Sequence, residues 1–370
     1  MKKAAPGVIV TAFALLAMSL CVESNAAAFH NQQAKPLPVK WPDVLKRDVA
    51  WYESDDARRI AENVLLYQRE SGGWPKNIDM ASVMSDDIKA AILRQKTETD
   101  STIDNGATYT QLKYLARVYG AHPDDRYKDA FINGVEYLLK AQYANGGWPQ
   151  FFPLHHGYYT HITYNDDAMI GVLELLRDIV KKKPTYAFVD DALRARAFTS
   201  VERGIDCILK TQVVVDGKLT VWCAQHDEVT FKPAAARAFE PVSLSGLESV
   251  GIVRFLMKIE HPSQHVIDAI ESAVVWFEKT KIRGFRWQET PVGNGFDREL
   301  RRDANSGPLW ARFYEIGTNR PIFAGRDSVI RYDVSQIEAE RRNGYRWYTD
   351  DPEKLLKVDY PTWRSKWGKT

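Results

Sequence analysis

Cysteine is scarce in this chain, with three in 370 residues. One of them, Cys21, falls in an N-terminal apolar stretch, so only Cys207 and Cys223 remain for a folded domain. A disulfide framework is therefore excluded as the scaffold. The remaining pair has two readings, a single bridge or two inert buried thiols. An excess of charge of either sign is lacking as well: 50 Lys and Arg against 48 Asp and Glu leave a net charge of +2. That balance argues against nucleic acid as the main partner. Long hydrophobic runs are also missing. The apolar run from Val8 to Cys21 is about 14 residues, short of the ~20 that a membrane-spanning helix needs. No Ser/Pro-rich linker follows Pro36-Leu37-Pro38, so nothing divides the chain into separate domains.

Lys2-Lys3, the apolar run and the small residues Ala26-Ala27-Ala28 together form a secretory signal peptide over residues 1–28. Cleavage is expected after Ala26 or Ala28. Leu20 is the wrong residue type to precede a lipidated Cys21. The expected product is an exported protein, periplasmic or secreted, free of the membrane once cleaved. It would be one domain over 29–370 with a short N-terminal extension over about 29–45, acting as a monomer.

An internal repeat organises that domain. Gln68 to Lys76 (QRESGGWPK) and Gln142 to Gln150 (QYANGGWPQ) are near copies, and Trp74, Trp148 and Trp222 are spaced by 74 residues. A weaker fourth copy, Gly284-Phe285-Arg286-Trp287, follows after 65. Eighteen residues beyond the last three tryptophans stand Asp166, Glu240 and Asn305; from Trp74 the matching cluster, Asp104-Asn105, is 30 on, which implies a 12-residue insertion. Apolar residues at helical spacing precede each tryptophan, as in Phe131, Val135, Leu138 and Leu139. A second periodic stretch follows each polar cluster, as in Met169, Val172, Leu173 and Leu176, and in the fourth copy Leu309, Phe313 and Ile316. The unit reads as helix, Gly-Trp turn, loop, helix. Glycine ends the first helix, and in two copies proline after Trp prevents continuation.

Stacked helical hairpins form an open solenoid or close into a ring. Similar repeat lengths, loops on one side and polar clusters at one position favour closure, giving an all-α toroid of hairpin repeats. The second helices would line its interior. Their N-termini, carrying Asp104, Asp166, Glu240 and Asn305, would converge at one mouth. Taken singly, each of these residues reads as an ordinary N-cap; it is their recurrence, with the non-capping neighbour Asp167, that points to a site. The tryptophans read as staples of helix ends.

The mouth would then hold Asp104, Asn105, Asn165, Asp166, Asp167 and Glu240, with Lys232, Arg237, Arg312 and Arg326 near in sequence. Mixed carboxylates and cations do not suit an inverting glycosidase. They suit an anionic substrate held through a hard cation such as Ca²⁺, with arginine forks for further carboxylates.

TIDNGAT (102–108), YNDDAM (164–169), ARAFEPVSLSGLES (236–249), RFYEIGTNRPIFAGRDS (312–328) and NGYRWY (343–348), with both GGWP turns, resemble the catalytic module of pectate lyases of polysaccharide lyase family 10. The likeness runs from about Glu62 to the C-terminus. It implies an (α/α)₃ toroid that cleaves polygalacturonate by Ca²⁺-dependent anti β-elimination. It further implies that Asp104 and Asp166 form the metal centre and that Arg237 is the catalytic base. Arg312 and Arg326 would hold substrate carboxylates in neighbouring subsites, and Asn105 would contact substrate. Position alone adds Asp167 to the metal set and Lys232 to the substrate set.

An arginine base implies an alkaline optimum, because guanidinium stays protonated at neutral pH; nearby cations, Lys232 and Ca²⁺, would lower the pKa of Arg237. His155, His156 and His161 share an aromatic loop but match no metal-binding spacing, whereas Tyr158 or Tyr159 could stack on sugar rings. Three rival readings are a hydrolase with Asp166 and Glu240 as its acid pair, a terpenoid cyclase, and a pectin-binding protein without turnover. The cyclase is disfavoured by export and by arginines where an acid-rich aromatic cavity is needed.

Overall fold

A computed structural model describes residues 39–368; the expected signal peptide lies outside the described residues. Eight helices carry the repeat: α1 (Asp55–Tyr67), α2 (Asp86–Leu93), α3 (Tyr109–Ala121), α4 (Asp125–Ala141), α5 (Ala168–Val180), α6 (Asp191–Thr211), α7 (Glu248–Met257) and α8 (Gln264–Lys279). They form two layers. In one, α1, α4, α6 and α8 pack in succession; in the other, α3 packs on α5 and α5 on α7. Pairs such as α5 with α6 and α7 with α8 join the layers. The insertion expected in the first copy contains α2.

Each repeat is tied to the next by a glutamine. A helix leaves its last carbonyls without partners, and the residue after the helix end supplies the donors. Gln68 Nε2 donates to the carbonyls of Gly72 and Ala130, at 2.8 Å each. Gln142 Nε2 donates to Gly146 and Ser200, at 2.9 Å each. Gln212 Nε2 donates to Thr220 at 2.8 Å and Ala269 at 3.0 Å. One carbonyl of each pair belongs to the local turn and the other to the next outer-layer helix. The turn must come close for this. At Gly146, φ is +93° and an added Cβ would stand 1.9 Å from the Arg203 carbonyl oxygen, so no other residue fits.

The tryptophans close the same turns from inside. Trp74, Trp148 and Trp222 are fully buried, and their indole N–H groups donate to Val64, Leu138 and Ile208 carbonyls at 2.7–2.8 Å. The fourth equivalent is Trp310, which donates to Phe277 O at 2.9 Å. Trp287, the residue singled out by sequence spacing, instead lies on a hairpin of Phe285–Val292 and Gly295–Arg302 inserted ahead of it.

The all-α toroid expectation is corrected by the chain after α8. The described residues include six two-stranded antiparallel sheets, and the stretch expected as a fourth inner helix is extended. Trp310-Ala311 pairs with Tyr348-Thr349, and Phe313-Tyr314 pairs with Leu244-Ser245. The physical reason is local: aromatic residues suited to strands fill this segment, Gly317 at φ +94° and Pro321 break any helical run, and partner strands take its N–H groups. The architecture is therefore a helical double layer closed off by short sheets and a C-terminal segment, Leu355–Asp359, packed on α7 and α8. Among the described residues no helix is long and apolar enough to cross a membrane. Cys207 and Cys223 are buried free thiols, and burial pushes Cys207 up to about 12.

Replacing Gln212, which is 5% exposed, by alanine would strand two carbonyls at the α6–α8 junction. The expected loss is about 1–3 kcal/mol, read as a lower urea midpoint with unchanged slope.

Candidate active site

Outer and inner helices begin differently. Ser54, Asp124, Asp190 and Ser263 cap α1, α4, α6 and α8 with their side chains. The inner helices α3, α5 and α7 have no side-chain cap. The polar clusters ahead of the inner helices are thus not spent on capping. Their carboxylates are available for other work.

Two tight turns build the centre, Asp104–Gly106 and Asn165–Asp167, packed against each other. Asn105 (φ 51°, ψ 34°) and Asp166 (φ 52°, ψ 36°) adopt the left-handed region at the same place in each turn, and Asp167 follows at φ 58°. Asn and Asp tolerate this conformation better than other side chains, at a cost of about 1–3 kcal/mol when the surroundings enforce it. The turns are anchored from the repeat: Thr102 N, Thr163 N and Ser245 N donate to the Trp74, Trp148 and Trp222 carbonyls. Counted from those anchors, the equivalent residues are Asn105, Asp166 and Glu248. Glu240, expected to open an inner helix, lies eight residues before α7 and does a different job. Asn305, the expected fourth member, sits in a turn beyond the inserted hairpin and opens no helix.

Asp104 is 3% exposed. Its Oδ2 meets Lys76 Nζ at 2.5 Å, while its Oδ1 is buried without a hydrogen-bond partner among the described residues. Lys76 also lies 5.3 Å over the Phe151 ring. Asp166 Oδ1 accepts from Arg312 Nη2 at 3.1 Å, and its Oδ2 accepts from Asn165 Nδ2 at 2.7 Å. Asn105 Nδ2 donates to Asn77 Oδ1 at 2.8 Å. Asp167 lies on the wall of a cavity of about 530 Å³ between α3, α5 and α7, and its Oδ1 lies so close to Gly251 that any Cβ there would collide with it. Enclosure in that cavity, then the carboxylates of Glu248, Glu174, Asp166 and Asp351, push Asp167 up to about 7. Its surface is open to the cavity, so it stays in contact with water although protein surrounds it.

Arg312 is almost fully buried and is taken up by protein groups. It pairs with Glu248 and Asp166, donates to Asn165 Oδ1 at 3.0 Å, and lies 4.4 Å over the Tyr345 ring. Burial opposes its charge, but Glu248, Tyr345 and Asp166 hold it above its ordinary range. Arg237 is partly exposed and forked by Glu240: Nε donates to Oε2 at 2.8 Å and Nη2 to Oε1. Tyr345 Oη donates to the same Glu240 Oε1 at 2.7 Å. Glu240 therefore raises the guanidinium of Arg237, the reverse of the lowering expected from neighbouring cations. Lys232 is exposed and makes no ion pair among the described residues. Arg326, also exposed, is forked by Glu340 at 3.0 and 3.1 Å, and none of its hydrogen bonds reaches the Asp104–Asp166 centre.

Glu248, Lys76 and Tyr345 are the residues that spacing missed. Glu248 lies inside a motif already singled out, eight residues past the counted position. Lys76 directly follows GGWP. The loop histidines separate: His155 stacks on Phe151 at 4.5 Å, and His161 meets Asp227 and Glu228 with ligand atoms within 4.8 Å of one another. Asp227 Oδ1 is already occupied by Val229 N, Thr230 N and Thr230 Oγ1.

The carboxylate turns, the forked arginine and the motif order have a counterpart among known proteins. A family model described as pectic acid lyase matches residues 68–356. The chain belongs to the pectic acid lyase family. It is accordingly an enzyme, a lyase. It is similar to a family 10 polysaccharide lyase from Cellvibrio cellulosa, with 34% identity, a TM-score of 0.73, and coverage of 85% of this chain and 94% of that one. An Asp-to-Ala mutant of a family 10 polysaccharide lyase from the same organism, in complex with trigalacturonic acid, gives a TM-score of 0.75 at 34% identity, covering 87% and 95%. No curated protein matches the chain.

The second turn of this pectic acid lyase is pinned by His226, since Ile162-Thr163 pairs with Gln225-His226 and Ala224 O accepts from Tyr164 N and Asn165 N. His226 is fully buried; its Nε2 accepts from Cys223 N at 3.1 Å, which leaves Nδ1 to donate to Phe231 O at 2.9 Å. Burial lowers it to about 4. A histidine depressed from about 6.5 binds its proton more tightly when unfolded, so stability is lost as pH falls through that window. Acidification from pH 6.5 to 4 should cost on the order of 3 kcal/mol at this group. A denaturation series should show the slope reduced in His226→Gln.

Proposed function

We propose that this pectic acid lyase cleaves polygalacturonate by Ca²⁺-dependent anti β-elimination, releasing 4,5-unsaturated oligogalacturonides. The observation that carries this reading is Asp104 Oδ1, a buried carboxylate oxygen with no protein donor, beside the Asp166 turn. Leaving such an oxygen unmet is costly. Hard oxygen donors from carboxylates and the Asn165 amide suit Ca²⁺. Asp104 and Asp166 would hold the ion, with Asp167 as a bordering carboxylate. When bound, it neutralises the uronate carboxylate and so makes the adjacent C5–H more acidic. The trigalacturonic acid bound to the related lyase supports an oligogalacturonide as substrate.

The chain's own residues divide the remaining tasks. Arg312 holds Asp166 and Glu248 in place. Arg237, in its neutral form, takes the C5 proton; the C5–H electron pair becomes the C4=C5 double bond as the C4–O bond breaks, and solvent protonates the leaving oxygen. Asn105 contacts the substrate, and the exposed cations Lys232 and Arg326 serve outlying carboxylates. Uncapped N-termini of α3, α5 and α7 add favourable partial charge for an anionic substrate.

The hydrolase alternative needs a protonated acid from Asp166 and Glu240. Glu240 is buried, which favours the proton, yet Arg237 and Tyr345 hold it below the ordinary carboxylate range. It is therefore unsuited to donate.

The test is ultraviolet absorbance of unsaturated product from polygalacturonate with CaCl₂ at alkaline pH. Activity should vanish with EDTA, and Arg237→Ala should reduce kcat by about 10²-fold or more. Reducing ends without absorbance would identify a hydrolase instead. Glu240→Gln removes the charge that keeps Arg237 protonated, so the rising alkaline limb of kcat should move to lower pH. A limb that stays in place would show that Glu240 does not govern the proton on Arg237.

A further inference from the structure

A second cavity adjoins the centre from the opposite side of Asn105. Its volume is about 350 Å³, within the usual range for small-molecule sites of ~300–1,000 Å³. Lys40, Trp41, Lys76, Asn77 and Asn105 are among its walls. Two of these, Lys76 and Asn105, already belong to the centre, Lys76 by its pair with Asp104 and Asn105 by its place in the first turn. The other wall, Lys40 and Trp41, precedes the family-matching residues 68–356.

The Trp41 segment is held firmly. Trp41 N donates to Asp79 Oδ1 at 2.8 Å, and the indole meets the buried Tyr114 ring edge-on at 5.5 Å. Its ring is only partly buried, so one side packs on the core while the rest lines the cavity. Lys40 is exposed beside it. An aromatic surface flanked by two ammonium groups combines a platform for a sugar ring with charge for its carboxylate.

We propose that this cavity is an additional subsite for one galacturonate unit of an extended substrate, with Trp41 as the platform and Lys40 and Lys76 recognising the carboxylate. The subsite rests on the lyase reading of the neighbouring centre. It makes the N-terminal segment a determinant of chain-length preference, giving this chain a stronger grip on long oligomers than the centre alone provides.

The experiment compares kcat/KM on hexagalacturonate and trigalacturonate for the wild type, Trp41→Ala, Lys40→Glu and Lys40→Arg. The hexamer-to-trimer ratio should fall about tenfold in Trp41→Ala and several-fold in Lys40→Glu, with Lys40→Arg close to wild type. Lys40→Glu guards against misfolding, since its side chain is at the surface. An unchanged ratio in both Trp41→Ala and Lys40→Glu overturns the subsite, as does an equal loss on both substrates. If the wild type yields no unsaturated product from either oligomer, the lyase reading fails separately. Calorimetric binding of hexagalacturonate to wild type and Lys40→Glu then decides the subsite: weaker binding by the variant supports it, and equal binding overturns it.

Discussion

The side-chain amide of one glutamine per repeat is the contact on which the rest of this structure depends. Gln68, Gln142 and Gln212 each satisfy a carbonyl of their own turn and a carbonyl of the following outer helix. A buried carbonyl left unpaired costs about 1–3 kcal/mol. The amide therefore sets both the angle at which the chain leaves a helix and the distance to the next repeat. The indole of Trp74, Trp148 or Trp222 then fills the turn from the core side, and its carbonyl anchors the strand-like residue that leads into the inner helix. Position passes from an outer helix to a polar turn through three consecutive contacts.

That chain of contacts explains why the centre tolerates conformations that would be unfavourable elsewhere. Asn105 and Asp166 occupy the left-handed region at matching places, and Asp104 keeps a buried oxygen without a donor. Packing from the repeat supplies the rigidity that holds them. The arginines of the site are equally constrained. Arg312 spends its charge on Glu248 and Asp166, fixing the carboxylates rather than reaching into open space. Arg237 is held by one residue, Glu240, and keeps part of its guanidinium exposed.

Much of this was legible in the sequence because it recurs. The Gln-to-Trp segments, the paired helices and the clusters at Asp104 and Asp166 all announce themselves by periodic spacing or by near identity between copies. What was not legible is what broke the period. The inserted hairpin moved the fourth structural tryptophan from the counted Trp287 to Trp310, and the loop before α7 moved the third inner carboxylate from Glu240 to Glu248. Three apolar residues at helical spacing, Leu309, Phe313 and Ile316, suggested a helix where strand pairing with Leu244-Ser245 prevails. Local periodicity carries no information about a partner strand some seventy residues away. Ion pairing is similarly hidden: nothing in the spacing shows that Arg237 faces a carboxylate rather than Lys232.

The residue after α8 gives the repeat its end. Where the three preceding outer helices are followed by glutamine, α8 is followed by Thr280, whose hydroxyl turns back to the Trp276 carbonyl of its own helix. A threonine side chain is too short to reach a further helix, so the tie that would recruit another repeat is absent, and Leu355–Asp359 packs on α7 and α8. The size of the enzyme is thus encoded by a single terminator residue, and lengthening the array would require restoring an amide at position 280 together with a new helix to receive it.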